Sequence, residues 1–223
     1  MISFETNLVL IIGLFSFFMG SIPTGLIVTR SKGIDIRKLG SGNIGATNVL
    51  RTMGAKYALI TLAGDISKGI IPVALIPIIL RQFSLDNINY EFNLSGQIYL
   101  VNSKVLFQAI AGLCAVLGHN FSIFLGFKGG KGVATSLGVV LSLSPHAGLM
   151  TVTTWLITMR FSRISSLSAL IAFALTPFYV YAIDPSREKV FFVIILTILV
   201  FIRHKDNIKR LLEGKESKFG NKK

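Results

Sequence analysis

The sequence predicts an all-α, polytopic integral membrane protein, and three observations support this class. Hydrophobic residues make up 52% of the 223 residues and charged residues only 15%, whereas an ordinary soluble domain is about 25% charged. The mean hydropathy is +0.67. Several uncharged stretches reach the roughly 20 residues that a helix needs to cross the hydrocarbon core of a bilayer. We therefore expect one membrane-embedded domain over residues 1–223, with about seven transmembrane helices.

The candidate helices follow one another with little sequence between them. Five uncharged runs cover residues 6–29, 105–127, 132–159, 164–183 and 190–202. A sixth apolar run, 57–80, is interrupted only by Asp65 and Lys68. The first run has 24 residues and no basic residue before it, which favours a retained helix over a cleaved signal with its shorter apolar region. The last run is short, so its helix is predicted to begin near Pro185.

The net charge of +13 is distributed in a way that predicts an orientation. Residues 28–57 carry +5 and residues 203–223 carry +5, while the connections 81–104 and 184–189 each sum to zero. Because basic loops of membrane proteins face the cytoplasm, we expect the N-terminus outside and the C-terminus in the cytoplasm. The same distribution argues against a nucleic-acid partner, which this charge would suggest on a soluble protein.

The 28-residue run 132–159 is predicted to leave the cytoplasmic side and return to it. A single crossing would place Arg160, Arg163 and the basic tail outside, against the charge rule. A bend at residues 144–148, where Pro145 removes a helix donor, avoids this. Each half would have about 13 residues and span about 20 Å. Seven crossings, and five crossings plus a re-entrant hairpin at 132–159, both remain open.

The first inside loop carries a glycine-rich motif, Gly-Ser-Gly-Asn-Ile-Gly-Ala-Thr-Asn-Val-Leu-Arg, at residues 40–51. Its glycine spacing matches a dinucleotide-binding fingerprint, but that fingerprint requires a βαβ unit, which the apolar helices exclude. A short helix that begins at Asn43 or the next residue would instead offer an anion-binding N-terminus. Asn43, Thr47 and Arg51 would share one face of that helix, with Ser41 at its start. A phosphate site and a capped surface helix both remain open.

The second inside loop reads Phe-Lys-Gly-Gly-Lys-Gly-Val-Ala-Thr at residues 127–135, after Gly-His-Asn-Phe at 118–121. It fails as a nucleotide P-loop because the first glycine of that motif is absent, so ATP hydrolysis is unsupported. A glycine-rich turn with Lys128 and Lys131 still suits an anion; the alternative is a loop whose charge only sets the topology. His119 is either a general base or a helix-end hydrogen-bond partner.

Four further polar residues form two pairs. Asp65 and Lys68 lie one turn apart in an apolar helix, where a proton path and a structural ion pair are both open. His204 and Asn207 lie one turn apart where an amphipathic surface helix begins. The sequence holds no cluster of His, Cys and acidic residues with the spacing of a metal site, and the lone Cys114 excludes an intrachain disulfide.

Three inside motifs occur together in one order. They are Ser-Gly-Asn-Ile-Gly-Ala-Thr-Asn-Val-Leu-Arg at 41–51, Gly-His-Asn-Phe with Phe-Lys-Gly-Gly-Lys-Gly-Val-Ala-Thr at 118–135, and His-Lys-Asp-Asn-Ile-Lys-Arg-Leu with Gly-Lys-Glu at 204–216. Gly-Ser-Ile-Pro-Thr-Gly at 20–25 and Gly-Asp-Ile-Ser-Lys-Gly at 64–69 accompany them. On these motifs the chain resembles the acyl-phosphate:glycerol-3-phosphate acyltransferase family of bacterial phospholipid synthesis over nearly its whole length. Ser122, where the family often has proline, and the long connection 81–104 are minor departures.

The resemblance implies transfer of a fatty acyl group from acyl phosphate to the 1-hydroxyl of glycerol 3-phosphate, giving lysophosphatidic acid and phosphate. Neither acyl-CoA nor acyl carrier protein would be the donor, and no metal or other cofactor would be needed. We expect a monomer in the lipid bilayer of the bacterial cytoplasmic membrane, with its active site at the cytoplasmic face. The enzyme that forms acyl phosphate is a candidate partner.

The resemblance also implies which residues act. The expected catalytic residues are Ser41, Arg51, Lys131, His204 and Asn207, and the expected substrate-binding residues are Asn43, Thr47, Asn48, His119, Lys128, Gly129, Gly130 and Glu216. The glycerol hydroxyl would attack the acyl carbonyl directly, and positioning with charge stabilisation would supply most of the rate. Its proton could go to the leaving phosphate, to His119 or to His204. A transporter for a phosphorylated anion and a noncatalytic membrane scaffold are the alternative functions.

Overall fold

The computed structural model describes residues 4–86 and 88–219, and most of their regular structure is helical. The helices in these residues are α1 Phe4–Ser21, α2 Thr24–Arg30, α3 Ala46–Met53, α4 Ala55–Gln82, α5 Ser103–Asn120, α6 Val133–Leu143, α7 Pro145–Ser162, α8 Ser165–Ile183, α9 Arg187–Arg203 and α10 Lys205–Leu212. Two 3-10 turns, Ile36–Lys38 and Ile123–Leu125, lie in the first and second inside loops.

Several of these helices have the length and surface of membrane spans. In the described residues, four segments are long and apolar enough to cross a bilayer: Phe4–Arg30, Ala55–Gln82, Ser103–Leu125 and Ser165–Ile183. Large apolar side chains such as Ile11, Ile78 and Phe178 are exposed, as expected where a helix faces lipid instead of water. Helix α6 is apolar but has only 11 residues. The expected number of about seven crossings therefore stays a prediction.

The run 132–159 breaks where the sequence predicts, at Ser144 between α6 and α7. Pro145 takes the first position of α7, where a backbone N–H would have no partner within the helix, so proline loses no hydrogen bond there. The two halves are unequal, however, since α6 has 11 residues and α7 has 18. The prediction of two helices of about 13 residues was wrong because α7 continues through Arg160. It ends at Ser162, because the next residue, Arg163, adopts a left-handed conformation (φ 58°).

The connection between α4 and α5 forms an antiparallel hairpin, which corrects the all-α prediction. Strand β1, Asn89–Leu94, pairs with strand β2, Gln97–Asn102. The turn between them consists of Ser95 and Gly96, both with positive φ (53° and 83°), as a two-residue hairpin turn requires. Polar and apolar residues alternate in β1, and this alternation before a Ser-Gly turn was the signal that the sequence analysis missed.

Paired glycines bring two pairs of helices unusually close together. Gly20 of α1 and Gly118 of α5 each face the backbone of the other helix, and Gly69 of α4 and Gly138 of α6 do the same. A Cβ added at any of the four would lie 2.0–2.2 Å from a carbonyl oxygen of the facing helix. Small residues at such contacts let membrane helices pack backbone to backbone. The apolar core is buried among α4, α5, α6 and α9.

Asp65 and Lys68 of α4 form an ion pair inside the bundle. Both residues are at most 4% exposed, and Lys68 Nζ lies 2.8 Å from Asp65 Oδ1. Lys68 also donates to the carbonyl oxygen of Ile22 (2.9 Å), at the break between α1 and α2. His119 Nδ1 lies 3.7 Å from the same Asp65 oxygen. These contacts support a structural pair over a proton path.

Replacing Asp65 with Asn is expected to lower the free energy of unfolding by about 3–5 kcal/mol, because the Lys68 ammonium loses its buried counter-charge. Reversible denaturation in mixed micelles measures the loss. The double variant Asp65→Asn, Lys68→Met removes the unpaired charge and should recover most of the stability. Equal destabilisation of the single and double variants would show that the ion pair is not the cause.

Candidate active site

Four chain segments meet at one end of the helix bundle. They are the loop that leads into α3 together with that helix, the loop between α5 and α6, the N-terminal end of α8, and residues 203–219. Hydrogen bonds between side chains connect them across as many as 166 residues of sequence. All four segments belong to the inside segments that the charge distribution identifies.

Helix α3 begins at Ala46, not at Asn43 or the next residue as predicted. Asn43 Oδ1 accepts a hydrogen bond from the N–H of Gly45 (2.9 Å), and this local turn competes with helix formation. Gly45 then caps the helix in an extended conformation. Asn43 therefore precedes the helix and does not share its face, whereas Thr47 and Arg51 lie one turn apart on α3.

Asn48 shapes the loop that precedes α3. Its side chain is 2% exposed, and its amide nitrogen donates to the carbonyl oxygens of Leu39 (3.0 Å) and Asn43 (2.9 Å). Its amide oxygen accepts from the N–H of Ser41 (3.0 Å). The donors and the acceptor of Asn48 are thus engaged within the loop, and they fix the backbone of Ser41, an exposed residue. Its role as a substrate ligand stays a prediction.

The glycines of the second loop fold back against the end of α5. The N–H groups of Gly129 and Gly130 donate to the carbonyl oxygens of Asn120 (3.2 Å) and His119 (3.0 Å). A Cβ at Gly130 would lie 2.1 Å from His119 Nε2, and one at Gly129 would lie 2.0 Å from the His119 carbonyl oxygen. His119 is 4% exposed, and the two glycines of the loop pack against it. Arg203 donates to the carbonyl oxygen of Gly130 (2.9 Å) from the other side.

A chain of short hydrogen bonds starts at Lys131. Lys131 Nζ donates to Asn207 Oδ1 (2.6 Å), and Asn207 Nδ2 donates to Glu216 Oε1 (2.6 Å). The same Glu216 oxygen accepts from Ser166 Oγ (2.7 Å), and Glu216 Oε2 accepts from Arg210 Nε (2.6 Å). Sequence reasoning placed the first three residues in the site but missed Ser166 and Arg210. Ser166 belongs to none of the quoted motifs, so no sequence signal identified it.

Burial changes the ionisation of these groups. Burial lowers the pKa of Lys131 to about 8, although the Glu216 carboxylate partly offsets it. Burial also lowers the pKa of His204 to about 4, against the opposing effect of its hydrogen bond to the Val200 carbonyl. Burial raises the pKa of Glu216, but hydrogen bonds from Ser166, Asn207 and Arg210 outweigh it and leave that pKa below its ordinary value. At neutral pH, Lys131 is mostly charged and His204 is neutral.

The tautomer of His204 follows from its hydrogen bond. Its Nδ1 lies 2.7 Å from the carbonyl oxygen of Val200, and a carbonyl oxygen can only accept. Nδ1 therefore carries the hydrogen, and Nε2 keeps a lone pair. His204 is 3% exposed, so the ring is held in this orientation and presents an acceptor, not a charge.

The first loop joins the same cluster through α3. Thr47 Oγ1 lies 3.0 Å from Ser165 Oγ at the start of α8, and Arg51 Nη1 donates to Ser217 Oγ (2.8 Å) in the tail. Lys128, the other lysine of the second loop, is exposed. The structure therefore connects Lys131 to the polar network and leaves Lys128 at its edge.

The arrangement suits phosphate chemistry. Arg51, Lys131, Arg203 and Arg210 supply positive charge from three segments, and serine and threonine hydroxyls lie between them. Such groups bind phosphate oxygens and stabilise negative charge that develops in a transition state. Among the described residues, no group of three or more His, Cys, Asp or Glu side chains could hold a metal ion.

A helical membrane bundle with this cluster at one end defines a membrane-embedded enzyme that acts on phosphate-bearing molecules. The family described as glycerol-3-phosphate acyltransferase matches residues 10–214. A relative of that name from Thioalkalivibrio sulfidiphilus is 42% identical over 208 residues, which cover 93% of this chain and 92% of the relative. A relative of the same name from Bartonella henselae is 44% identical over 211 residues, which cover 94% of this chain and 91% of the relative. The chain belongs to the glycerol-3-phosphate acyltransferase family.

Two solved structures share the fold. Both are of PlsY (YgiH), described as an integral membrane glycerol 3-phosphate acyltransferase. Its glycerol 3-phosphate form superposes with a TM-score of 0.80 at 35% identity and covers 95% of this chain and 96% of that one. Its lysophosphatidic acid form superposes with a TM-score of 0.79 at 34% identity and covers 95% of each chain. The chain is thus a multi-pass membrane protein and an acyltransferase, and the transporter and scaffold alternatives are set aside.

Proposed function

We propose that the chain transfers a fatty acyl group from acyl phosphate to the 1-hydroxyl of glycerol 3-phosphate, producing lysophosphatidic acid and phosphate. One observation carries the proposal. Hydrogen bonds lead from Lys131 through Asn207 to Glu216, and the next residue in the chain, Ser217, accepts a hydrogen bond from Arg51. Two cationic residues from separate loops thereby belong to one cluster, and a reaction between two phosphate-bearing substrates needs two such centres. Phe124 and Phe127, exposed apolar residues of the loop that carries Lys131, would supply part of the environment of an acyl chain.

In the proposed reaction the glycerol oxygen attacks the acyl carbonyl carbon and forms a tetrahedral oxyanion. The bond from that carbon to the phosphate oxygen then breaks, and phosphate leaves. Ser41, Thr47 and Arg51, with Asn43 beside them, hold one phosphate group, and Lys131 neutralises the other. Gly129 and Gly130 give shape to the second loop, since their N–H groups are already bonded to carbonyl oxygens of α5.

The hydroxyl proton goes to the departing phosphate or to Nε2 of His204. Nε2 is suited to accept it because Nδ1 is bonded to Val200 and the ring is neutral at physiological pH. His119 is less suited to this step, because its Nδ1 faces Asp65 and its Nε2 lies against Gly130. Substantial activity in a His204→Ala variant would assign the proton to the phosphate.

The purified protein, incubated in detergent with palmitoyl phosphate and glycerol 3-phosphate, is expected to release phosphate and lysophosphatidic acid in equal amounts. Both products are quantified in the same samples. Palmitoyl-CoA offered as the donor should yield no lysophosphatidic acid, and omission of glycerol 3-phosphate should stop both products. Phosphate release without the acyl product would indicate hydrolysis and contradict the proposed transfer.

The rate is expected to fall at alkaline pH because the Lys131 ammonium is needed. With its pKa lowered to about 8 by burial, the charge is present below that pH and is lost as the pH rises through it. The quantity kcat/KM, which reports the free enzyme, should then drop about tenfold per pH unit. In Lys131→Arg the guanidinium stays charged, so the ratio of variant to wild type should rise above pH 8. A constant ratio would assign the decline to another group.

We also propose that the cluster faces the cytoplasm of a bacterial cell, that the N-terminus lies outside, and that one monomeric domain carries the activity. The loop before α6 and the start of α8 both contact the cluster, which supports the view that α6 and α7 leave this end and return to it. Tyr90 of the hairpin and Glu5 of α1 share a pocket, so the N-terminal end of α1 lies beside the hairpin. Labelling cysteines introduced one at a time at Lys128 and Gly96, in a variant with Cys114 replaced by Ser, from each side of the membrane tests this orientation.

A further inference from the structure

The segment that follows Glu216 holds the Arg51 side chain in one orientation. Arg51 Nη1 donates to Ser217 Oγ (2.8 Å), and Nη2 donates to the Ser217 carbonyl oxygen (3.2 Å). The guanidinium carbon lies 4.7 Å from the centroid of the Phe219 ring. The exposed arginine of α3 is thus bound to the tail both through its N–H groups and over its face.

The tail is itself anchored on both sides of Ser217. On one side, Glu216 accepts hydrogen bonds from Ser166, Asn207 and Arg210. On the other side, the N–H of Phe219 donates to the carbonyl oxygen of Arg163 (2.8 Å). The contact with Arg51 therefore joins α3 to a fixed part of the protein.

Ser217 and Phe219 lie beyond the part of the chain that the family matches, which ends at residue 214. Neither residue contacts a substrate or receives a proton in the proposed reaction. Their contacts with Arg51 are therefore not explained by the motifs that carry the family resemblance.

The contacts leave Arg51 able to bind a ligand. A guanidinium has five N–H donors in one plane, and two of them donate to Ser217, so three N–H groups remain. The Phe219 ring lies over the face of the group, and a cation stacked this way keeps its donors directed sideways. An unrestrained arginine would lose rotamer freedom when a substrate bound, and that loss weakens binding. Here the restriction is already present in the folded protein.

We propose that Ser217 and Phe219 are positioning residues that hold the Arg51 guanidinium ready for the phosphate group of a substrate. The inference rests on the proposed function, in which Arg51 binds that phosphate. It predicts that loss of the two contacts weakens the binding of one substrate and leaves the chemical step nearly unchanged.

The test is the double variant Ser217→Ala, Phe219→Leu, which removes the hydroxyl and the aromatic face and keeps apolar volume. Its KM is expected to rise about five- to tenfold, the effect of freeing one long side chain, with kcat within about twofold. The substrate affected should be the one whose KM rises in Arg51→Lys. Phe219→Tyr keeps an aromatic ring and should retain the wild-type KM. Lys218→Ala, at an exposed residue between the two, is the matched control.

An unchanged KM for both substrates in the double variant would overturn the inference, and so would a lower KM, which would mean that the tail covers Arg51. Thermal unfolding of each variant confirms that it is folded. Failure of the proposed function is distinguishable, because the wild-type protein would then form no lysophosphatidic acid. Normal kinetics of Arg51→Lys would refute the role of Arg51, whereas a raised KM there with normal kinetics of the double variant would refute only the positioning.

Discussion

Replacing Lys131 with Ala is expected to reduce kcat/KM by about 10²–10³, the usual effect of removing one group that stabilises transition-state charge. The ammonium is half-buried, and its bond to Asn207 holds it within the polar network. A solvated lysine elsewhere cannot replace it, because distance and water weaken the interaction. Steady-state kinetics with both substrates varied measures the loss.

Removing the charge of a lysine outside the polar network is expected to change the rate much less. Lys128→Ala, at the exposed lysine of the same loop, should have a much smaller effect than Lys131→Ala. Lys56→Ala, at an exposed residue at the start of α4, controls for the change in net charge and should keep the wild-type rate. If Lys128→Ala were the more damaging of the two loop variants, the assignment of Lys131 to the reacting phosphate would be wrong.

Replacing Gly129 with Ala is expected to lower the catalytic rate by about 10- to 100-fold, because a small displacement of a positioned group can reduce the rate that much. The added Cβ would lie 2.0 Å from the carbonyl oxygen of His119, and a backbone atom cannot move aside as a flexible side chain can. The loop would shift away from α5 and carry Lys131 with it. Activity and the folded fraction, measured on the same preparation, give the result.

Gly13→Ala is the matched control for this variant. Gly13 lies in α1, and an added Cβ there would make an ordinary contact of 3.5 Å with Cys114 Sγ. Since alanine favours a helix over glycine, this variant should be folded and fully active. Full activity of Gly129→Ala would show that the loop tolerates a shift and that its glycines are not required for shape.

Composition and charge were sufficient to predict the membrane class and the end of the bundle where the site lies. Long uncharged runs are set by the thickness of the bilayer, and the basic residues lie in the loops that meet at the cluster. The break at Ser144 was also predictable, because the charge rule requires the run to return to the side it left and Pro145 suits the first position of a helix.

Other features depended on contacts that the linear sequence does not contain. Asn48 has the residue type of a substrate ligand, yet its amide is engaged with the backbone of its own loop. Ser166 enters the site only through Glu216, 50 residues away. His119 lies next to the loop that contains Lys131, but its ring is directed toward Asp65 and Gly130. In each case tertiary packing decided what a polar side chain could reach.

The position of Glu216 after the last described helix has a consequence for biosynthesis. Its carboxylate accepts from Asn207, Arg210 and Ser166, so these three side chains acquire their shared partner only after residue 216 has been made. A nascent chain can insert its apolar helices into the membrane before that point, while Asn207, the partner of Lys131, lacks the carboxylate that it bonds. The network is therefore complete only after residue 216 has been made, and chains interrupted earlier are expected to occupy the membrane without acylating anything.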